Sequence, residues 1–343
     1  MAATLPSLPG VTLESKVAFL RHSGSYPEPA YRVEALETHM SWVFLAGAYV
    51  YKLKKPVCYE LLDFRTLDAR RFYCEEEVRL NRRLAAQVYL GTVPLTLDAH
   101  AHLQLDGRGT PIDWLVKMCR LPARQMLDYA IVHQSVQDAD FERVAVHLAA
   151  FYRACEPVPT DPVRYRARLQ RQIESNRQEL GLALYRLPRA QVDAICQAQA
   201  AALERMAGLF DARVRANRVI EGHGDLRPEH ICLRPHLAII DCLEFSRELR
   251  LVDPADELSF LALECERLGA AAAGATLLAR YGALSGDVPD ARLVHFYQSY
   301  RAGMRATISA RHLQEEKFRY SPQWIKRTGQ YLQLADQHVG HCA

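Results

Sequence analysis

Apolar residues in the first third of the chain come in short alternating runs, whereas further along they recur at helical spacing. Residues 14–22 read as a short helix that stops at the cluster of Gly24, Pro27 and Pro29. Ser41–Leu45 and Tyr49–Leu53 read as two strands around a turn at Gly47. From Thr66 to Leu84 the spacing of Phe72, Val78, Leu80 and Leu84 predicts a helix. Val88–Leu97, His102–Leu105 and Trp114–Met118 read as further strands, with Asp106-Gly107 as a turn and Leu121-Pro122 as the end of the last.

Beyond that point the period changes. Residues 139–154, 161–183 and 189–216 form long helical patterns with few breakers. A short strand-rich island, Val219 to Asp241, interrupts them with the runs His230–Leu233 and Leu237–Ile240. Residues 254 to about 334 are helical again. Strands first and helices later predict an α+β protein with two unequal lobes. The seam is expected near residues 117–121, giving a lobe of residues 1–117 and one of 118–343.

A chain of 343 residues suits one two-lobed domain or two ordinary ones. Hydrophobic residues at 49% and charged residues at 24% allow a sizeable core. With 43 basic and 40 acidic residues, the net charge of +3 is too balanced for a nucleic-acid footprint. The Arg-rich run from Arg164 to Arg177 reads as a solvated helix face. The nine cysteines (Cys58, Cys74, Cys119, Cys155, Cys196, Cys232, Cys242, Cys265 and Cys342) are scattered and never spaced as CxxC. That argues against a zinc site or a disulfide framework and for reduced, mostly buried thiols. The start, MAATLPSLPG, has neither a basic region nor an apolar run, and no stretch approaches a membrane span. A cytoplasmic location without membrane or nucleic-acid partners is expected.

The island carries the chemistry. It reads His223-Gly224-Asp225-Leu226-Arg227-Pro228-Glu229-His230 and then Ile239-Ile240-Asp241. Asp225 falls in a tight glycine-containing loop, and Asp241 ends an apolar, strand-like run. Paired hairpin strands would bring both carboxylates to one edge. One carboxylate could then orient a hydroxyl and accept its proton while the other ligates a hard cation.

HGDLRPEH resembles the catalytic loop HRDLxxxxN of protein kinases in the HGD form of aminoglycoside phosphotransferases and choline kinase-like enzymes. The resemblance implies Asp225 as catalytic base and Arg227 where protein kinases carry a phosphate-contacting lysine. It implies Asp241 as the Mg²⁺ ligand of DFG, here DCLE. His230 stands where the family has a metal-binding Asn, and Asp253-Pro254-Ala255-Asp256-Glu257-Leu258 resembles the DPxxDL segment that follows. In the first third, Tyr49-Val50-Tyr51-Lys52 resembles the strand with the ATP-binding lysine. Cys74 to Leu80 resembles the helix that supplies its glutamate, with Glu77 preferred over Glu76 because Leu80 and Leu84 lie on its face. Val116-Lys117-Met118-Cys119 resembles the hinge, whose backbone at Val116 and Met118 would meet adenine. No GxGxxG precedes Lys52; Thr38–Ser41 is expected to cover the phosphates, with Ser41 in place of glycines. The combination ETHMSWVFL, YKLKKP, DFRTL and EEEVRLNRRL resembles a bacterial group of aminoglycoside phosphotransferase-like enzymes, some with an added P-loop ATPase domain. The chain has no GxxxxGK[ST], so the resemblance implies a stand-alone version.

The implied fold is the protein kinase-like one: a small strand-rich nucleotide-binding lobe and a larger helical catalytic and substrate lobe. The implied activity is transfer of the γ-phosphoryl group of ATP, with Mg²⁺ or Mn²⁺, to a hydroxyl of a small molecule. His230, an imidazole at a hard-cation position, supports a competing reading as a nucleotide-binding pseudokinase with a regulatory role. Other residues invite structural readings. His223 is expected to brace the loop and Asp256 to bond the catalytic-loop backbone; Lys52, Lys54 and Lys55 also read as a solvated cluster, in which strand alternation separates Lys52 and Lys54 from Lys55 and only one, Lys52 by choice, need be functional. Tyr297, Arg301 and Arg305 recur at i, i+4 and i+8, either paired with acids such as Glu264 or Glu266 or facing substrate.

Overall fold

The computed structural model describes residues 11–59 and 62–342. It resolves into two compact units: residues up to Pro122 together with Ala238–Ser246, and Ala123–Leu237 together with Arg247 onward.

The first unit is built on a sheet. It begins with α1 (Leu13–Leu20), whose first turn Thr12 caps by accepting the Ser15 N–H at 3.2 Å. Then come β1 (Val33–Glu37), β2 (Ser41–Ala46), β3 (Tyr49–Lys54), β4 (Cys58–Tyr59) and β5 (Leu62–Asp63). Helix α2 (Leu67–Ala85) starts at the Thr66 cap and precedes β6 (Tyr89–Leu97), β7 (Leu103–Leu105) and β8 (Thr110–Cys119). Six strands form one antiparallel sheet in the order β1-β2-β3-β8-β6-β7. Phe44, Tyr51, Leu53, Leu95 and Leu115 fill its core. The alternating runs thus become strands as expected. Strand β1 was not foreseen: its sequence, VEALE, is half-exposed at the sheet edge and carries no clear apolar alternation.

The second unit is helical. It comprises α3 (Leu127–Val132), α4 (Asp138–Ala154), α5 (Pro162–Leu180), α6 (Arg189–Arg205) and α7 (Ala207–Arg215). The short strand β9 (Ile220–Glu221) and strand β10 (Ile231–Cys232) follow; β11 (Ala238–Ile239) belongs to the first unit. The chain continues with α8 (Arg247–Arg250), β12 (Leu251–Val252), α9 (Pro254–Arg267), α10 (Ala271–Ser285), α11 (Ala291–Arg311) and α12 (Pro322–Gly340). Asp161 and Asp253 cap α5 and α9, each with proline at the first helical position. Strand β9 pairs with β12. Helix α11 packs on α5, α9 and α12, and Leu169, Phe210, Phe296 and Tyr297 lie in the core between helices.

Two expected elements differ in detail. The 189–216 helix breaks at Met206 (φ −96°, ψ 14°), where the Leu209 N–H bonds the Met206 carbonyl at 2.8 Å and Gly208 lowers helix propensity. His230 closes a one-turn 3₁₀ helix, Pro228–His230, so the strand starts after it. Among the described residues no helix is long and apolar enough to cross a membrane.

Candidate active site

In the first unit, β3 presents Lys52 and α2 presents Glu77. Glu77 is fully buried. Its Oε1 accepts from Lys52 Nζ at 2.9 Å and its Oε2 from Lys54 Nζ at 2.6 Å. Lys54, fully buried as well, donates a second bond to Glu244. Lys52 also donates to Asp241 Oδ1 at 3.0 Å. The result is an alternating row: Asp241, Lys52, Glu77, Lys54, Glu244. Three carboxylates against two ammonium groups leave one net negative charge. Burial alone would depress Lys52, but Asp241 and Glu77 outweigh it and hold the ammonium well above its ordinary pKa. Burial would likewise raise Glu77, and the two lysines overcome it, so its carboxyl lies below the usual range.

Asp241 ends the row where solvent reaches it, with 47% of its side chain exposed. Its backbone is left-handed (φ +61°), a conformation Asp tolerates better than most residues. Its N–H donates to the Tyr89 hydroxyl at 3.1 Å. The next N–H, of Cys242, donates to Asn81 Oδ1 at 2.8 Å, and Asn81 Nδ2 donates to the Glu77 carbonyl at 2.8 Å. Helix α2 thus fixes both the partner of Lys52 and the turn that carries Asp241. An exposed carboxylate oxygen at the end of a row with net negative charge fits a hard divalent cation.

Ser41, Val116 and Met118, and the alternatives Glu76 and Lys55, lie in the same unit. Glu76 pairs with Arg79 on the outer face of α2. Lys55 points away from Lys52 and bonds the Thr38 carbonyl at 2.6 Å. Ser41 is buried, and its N–H and C=O are both engaged by Thr38 in the β1–β2 turn. Val116 and Met118 are buried in β8, paired with β3 on one side and β6 on the other.

In the second unit, the HGD loop is held from several directions. Gly224 has φ +88°, which only glycine adopts without strain. Its N–H donates to Glu257, whose other oxygen accepts from the Tyr152 hydroxyl at 3.1 Å. The Gly222 Cα approaches Glu257 so closely that a Cβ would lie 2.7 Å from Oε2. Asp256 grips Arg301 through two bonds of 2.7 Å, and Arg301 reaches the Gly224 carbonyl at 3.4 Å. The acid that bonds the loop backbone is therefore Glu257, with Asp256 acting through Arg301. His223, fully buried, accepts the Asp225 N–H at Nδ1, 3.3 Å, a bracing contact.

Around Asp225 the side chains interlock. Arg227 donates to Asp225 Oδ2 from Nε at 3.0 Å and lies 2.9 Å from it at Nη2; Nη1 binds Glu229. Burial would raise the Asp225 pKa, and Arg227 with its neighbours His230, Arg305 and His223 reverses this, down to about 2. His230 Nδ1 is 2.9 Å from the Asp225 carbonyl, which can only accept, so Nδ1 carries a proton. Nε2, 3.0 Å from Arg227 Nη2, then accepts from the guanidinium. Both ring nitrogens are engaged, and a metal could use Nε2 only after Arg227 moved away. Of the helical stripe, Tyr297 bonds Tyr165 at 3.0 Å, Arg301 is taken by Asp256, and Arg305 lies 3.6 Å from Glu264.

The sequence reading missed Lys54, Glu244, Tyr89 and Asn81. Lys54 was in view, two residues from Lys52 on the same side of β3, but nothing local showed that it was buried. Glu244 lies three residues beyond Asp241, and a carboxylate so near a metal-ligand candidate was the available signal.

No family model matches the chain. Over 314 residues it is 33% identical to an uncharacterized protein of Mycobacterium tuberculosis, and to the same extent to one of Mycobacterium bovis. Each match covers 90% of this chain and 60% of the relative, so the chain spans about three-fifths of the curated relatives it matches. Among solved structures it is similar to an aminoglycoside 2′-phosphotransferase-IIIa mutant in complex with GDP (TM-score 0.54, 15% identity, 95% of this chain and 98% of that one). It is also similar to a choline/ethanolamine kinase family protein of Mesorhizobium loti (0.53, 14%, 96% and 99%). A choline kinase of Cryptosporidium parvum gives 0.51 at 9% identity, covering 95% of this chain and 96% of that one. The fold is the α+β, protein kinase-like one. More particularly, it is the variant shared by aminoglycoside phosphotransferases and choline and ethanolamine kinases.

Proposed function

We propose that the protein transfers the terminal phosphoryl group of ATP to a hydroxyl of a small molecule. The observation that supports this best is the Lys52–Glu77 pair joined to an exposed Asp241, in a chain whose HGD loop holds an ionised Asp225. The Mg²⁺-nucleotide, when bound, supplies the transferable group and neutralises its charge. Asp241 offers the hard oxygen for the cation, and Mn²⁺ would be accepted on the same ground. Lys52, kept charged by Glu77, meets the phosphate oxygens. Asp225 accepts a hydrogen bond from the acceptor hydroxyl and takes its proton as the new O–P bond forms and the bond to the leaving diphosphate breaks. With a pKa of about 2, Asp225 is a weak base. It therefore orients the hydroxyl first and receives the proton late, which suits a loose transition state.

Arg227 lowers the pKa of Asp225 and offsets charge on the transferred group. His230 is assigned to holding Asp225 and Arg227 in register. A cytoplasmic location is proposed with this activity, where ATP is abundant and cysteine thiols stay reduced.

The test is a panel of hydroxylated metabolites incubated with purified protein, Mg²⁺ and terminally labelled ATP or GTP. Label should pass to at least one acceptor. Asp225→Asn should lower turnover about 10²–10⁴-fold, the usual worth of a positioned base, while nucleotide affinity stays unchanged. Undiminished transfer by that variant would remove Asp225 from the reaction.

A further inference from the structure

Helix α11 carries Arg301 and, one turn on, Arg305. Arg301 is fixed by two bonds of 2.7 Å to Asp256 and reaches the Gly224 carbonyl, beside Asp225, at 3.4 Å. Residues four apart share a helix face, so Arg305 lies on the side of α11 that meets the HGD loop. Helix α9, which packs on the Pro228–His230 turn of that loop, brings Glu264 to 3.6 Å from Arg305 Nε. Arg305 is also among the cations that hold the Asp225 carboxyl low.

The ionised groups of this face include three acids and three arginines. Arg227 bonds Asp225 at 3.0 Å and also binds Glu229. Glu264 accepts from Arg267 Nε and from the Tyr331 hydroxyl, both at 2.7 Å. Each acid thus has an arginine at hydrogen-bond distance. Arg305 differs. Its approach to Glu264 is longer than a hydrogen bond, and its Nε, shut off from solvent, has no hydrogen-bond partner. Tyr331, with its ring 5.8 Å from the guanidinium carbon and its hydroxyl alongside, flanks the group without charge. Solvent still reaches 13% of the side chain. A guanidinium presents five donors in a planar fork that matches a carboxylate. Among these six side chains the other unpartnered buried polar atom is Glu229 Oε2, which when ionised only accepts.

We infer that Arg305 binds a carboxylate of the acceptor, so that the small molecule of the phosphotransfer proposed above, on which this reading rests, is a polyhydroxy acid. The reacting hydroxyl bonds Asp225, the carboxylate takes the fork of Arg305, and a further hydroxyl donates to Glu229 Oε2. A cationic acceptor would find each of the three carboxylates already bonded to an arginine, and the remaining guanidinium would repel it. A phosphate ester would bring a second negative charge among Asp225, Glu229 and Glu264, which Arg305 alone cannot balance. A carboxylate brings one.

The test uses the full chain with Mg²⁺, terminally labelled ATP and matched acceptors: gluconate against glucose and glucosamine, and glycerate against glycerol. At least one of the two acids should be phosphorylated with a kcat/KM about 30-fold or more above its uncharged or cationic counterparts, the scale of removing one partner from a buried charge pair. Arg305→Met keeps the length of the stem and removes the charge. It should raise KM for the acid about 30-fold or more with little change in kcat, and so bring acid and neutral acceptors level. Arg305→Lys, which keeps the charge but not the fork, should lose about tenfold and stands in if Arg305→Met does not fold. Calorimetry with sodium gluconate and sodium glycerate, in the presence of Mg²⁺ and a non-hydrolysable ATP analogue, reads binding without turnover. Acid binding that is lost in Arg305→Met, in a chain that transfers no label, upholds the carboxylate site and overturns the phosphotransfer reading instead. Binding of neither acid overturns the inference, as does a preference for the neutral or cationic acceptors, or an acid preference that survives in Arg305→Met. An equal loss on all acceptors in that variant overturns it too; Arg305 is then a counter-ion of Asp225 only.

Discussion

Glu77→Gln is the most revealing single change in the first unit, because Glu77 serves two cations at once. The substitution keeps the volume and one acceptor oxygen but removes the charge and turns the other oxygen into an NH₂ donor. One of Lys52 and Lys54 then faces a donor at the distance where it had a carboxylate (2.9 or 2.6 Å). A hydrogen bond to a charged group contributes about 1.5–3 kcal/mol. Breaking one partner out of a buried ion pair costs about 3–5 kcal/mol. Asp241 and Glu244 remain to hold the two lysines, and the row falls from one net negative charge to none. That relief puts the expected loss near the lower end, about 3 kcal/mol. Glu76→Gln is the control: its bond to Arg79 lies on the outer face of α2, and its loss should cost no more than about 0.5 kcal/mol. The assay is urea unfolding followed by the fluorescence of Trp42 and Trp114, with Trp324 in the second unit replaced by Phe. A Glu77→Gln loss within about 1 kcal/mol of the Glu76→Gln value would show that the two lysines do not depend on Glu77, and would refute the row of charges.

Other consequences can be checked as directly. Asp225 sits at about 2 when folded against an ordinary 3.8, so its stabilising contribution is present above 3.8 and is lost as pH falls toward 2; Asp225→Asn should flatten that acid limb in an acid-unfolding titration. The same low value means that any decline in the phosphotransfer pH profile between pH 6 and 4 must be traced to a group other than Asp225. His230→Asn should leave the ranking of Mg²⁺ and Mn²⁺ unchanged, since both ring nitrogens serve Asp225 and Arg227; a shift toward Mg²⁺ in a metal-activation assay would return His230 to the metal. Arg301→Lys should destabilise the second unit by about 2–4 kcal/mol in chemical unfolding, because lysine cannot reproduce the paired bonds to Asp256.

Much of this was legible in the chain because local period and burial agree. The apolar residues after Glu77, at Leu80 and Leu84, marked its inward face, and Glu77 rather than Glu76 meets Lys52. The glycine in HGD marked a tight loop, and Gly224 turns it with a left-handed backbone. What stayed hidden depends on contacts between distant segments. Lys54 read as a solvated lysine because its second partner, Glu244, is 190 residues away. The left-handed backbone of Asp241 left no mark, since Asp occurs in many conformations. His230 read as a ligand candidate because its position in the motif shows the residue type but not the direction of its two nitrogens. Those directions are set by Arg227 and by the carbonyl of Asp225. Val116 and Met118 were named as hinge residues by resemblance alone, and their place in β8, between β3 and β6, depends on pairings with distant strands.

The central claim is that Lys52 and Asp241 form the grip for a metal-bound nucleotide, and isothermal titration of the full chain with Mg-ATP tests it most directly. The account predicts one site per chain in the wild type, with affinity lowered at least about tenfold in Lys52→Ala and in Asp241→Ala, the two ends of a contact now 3.0 Å long. Mg-ATP binding as tight in both variants as in the wild type, or no binding by the wild type at all, would contradict it.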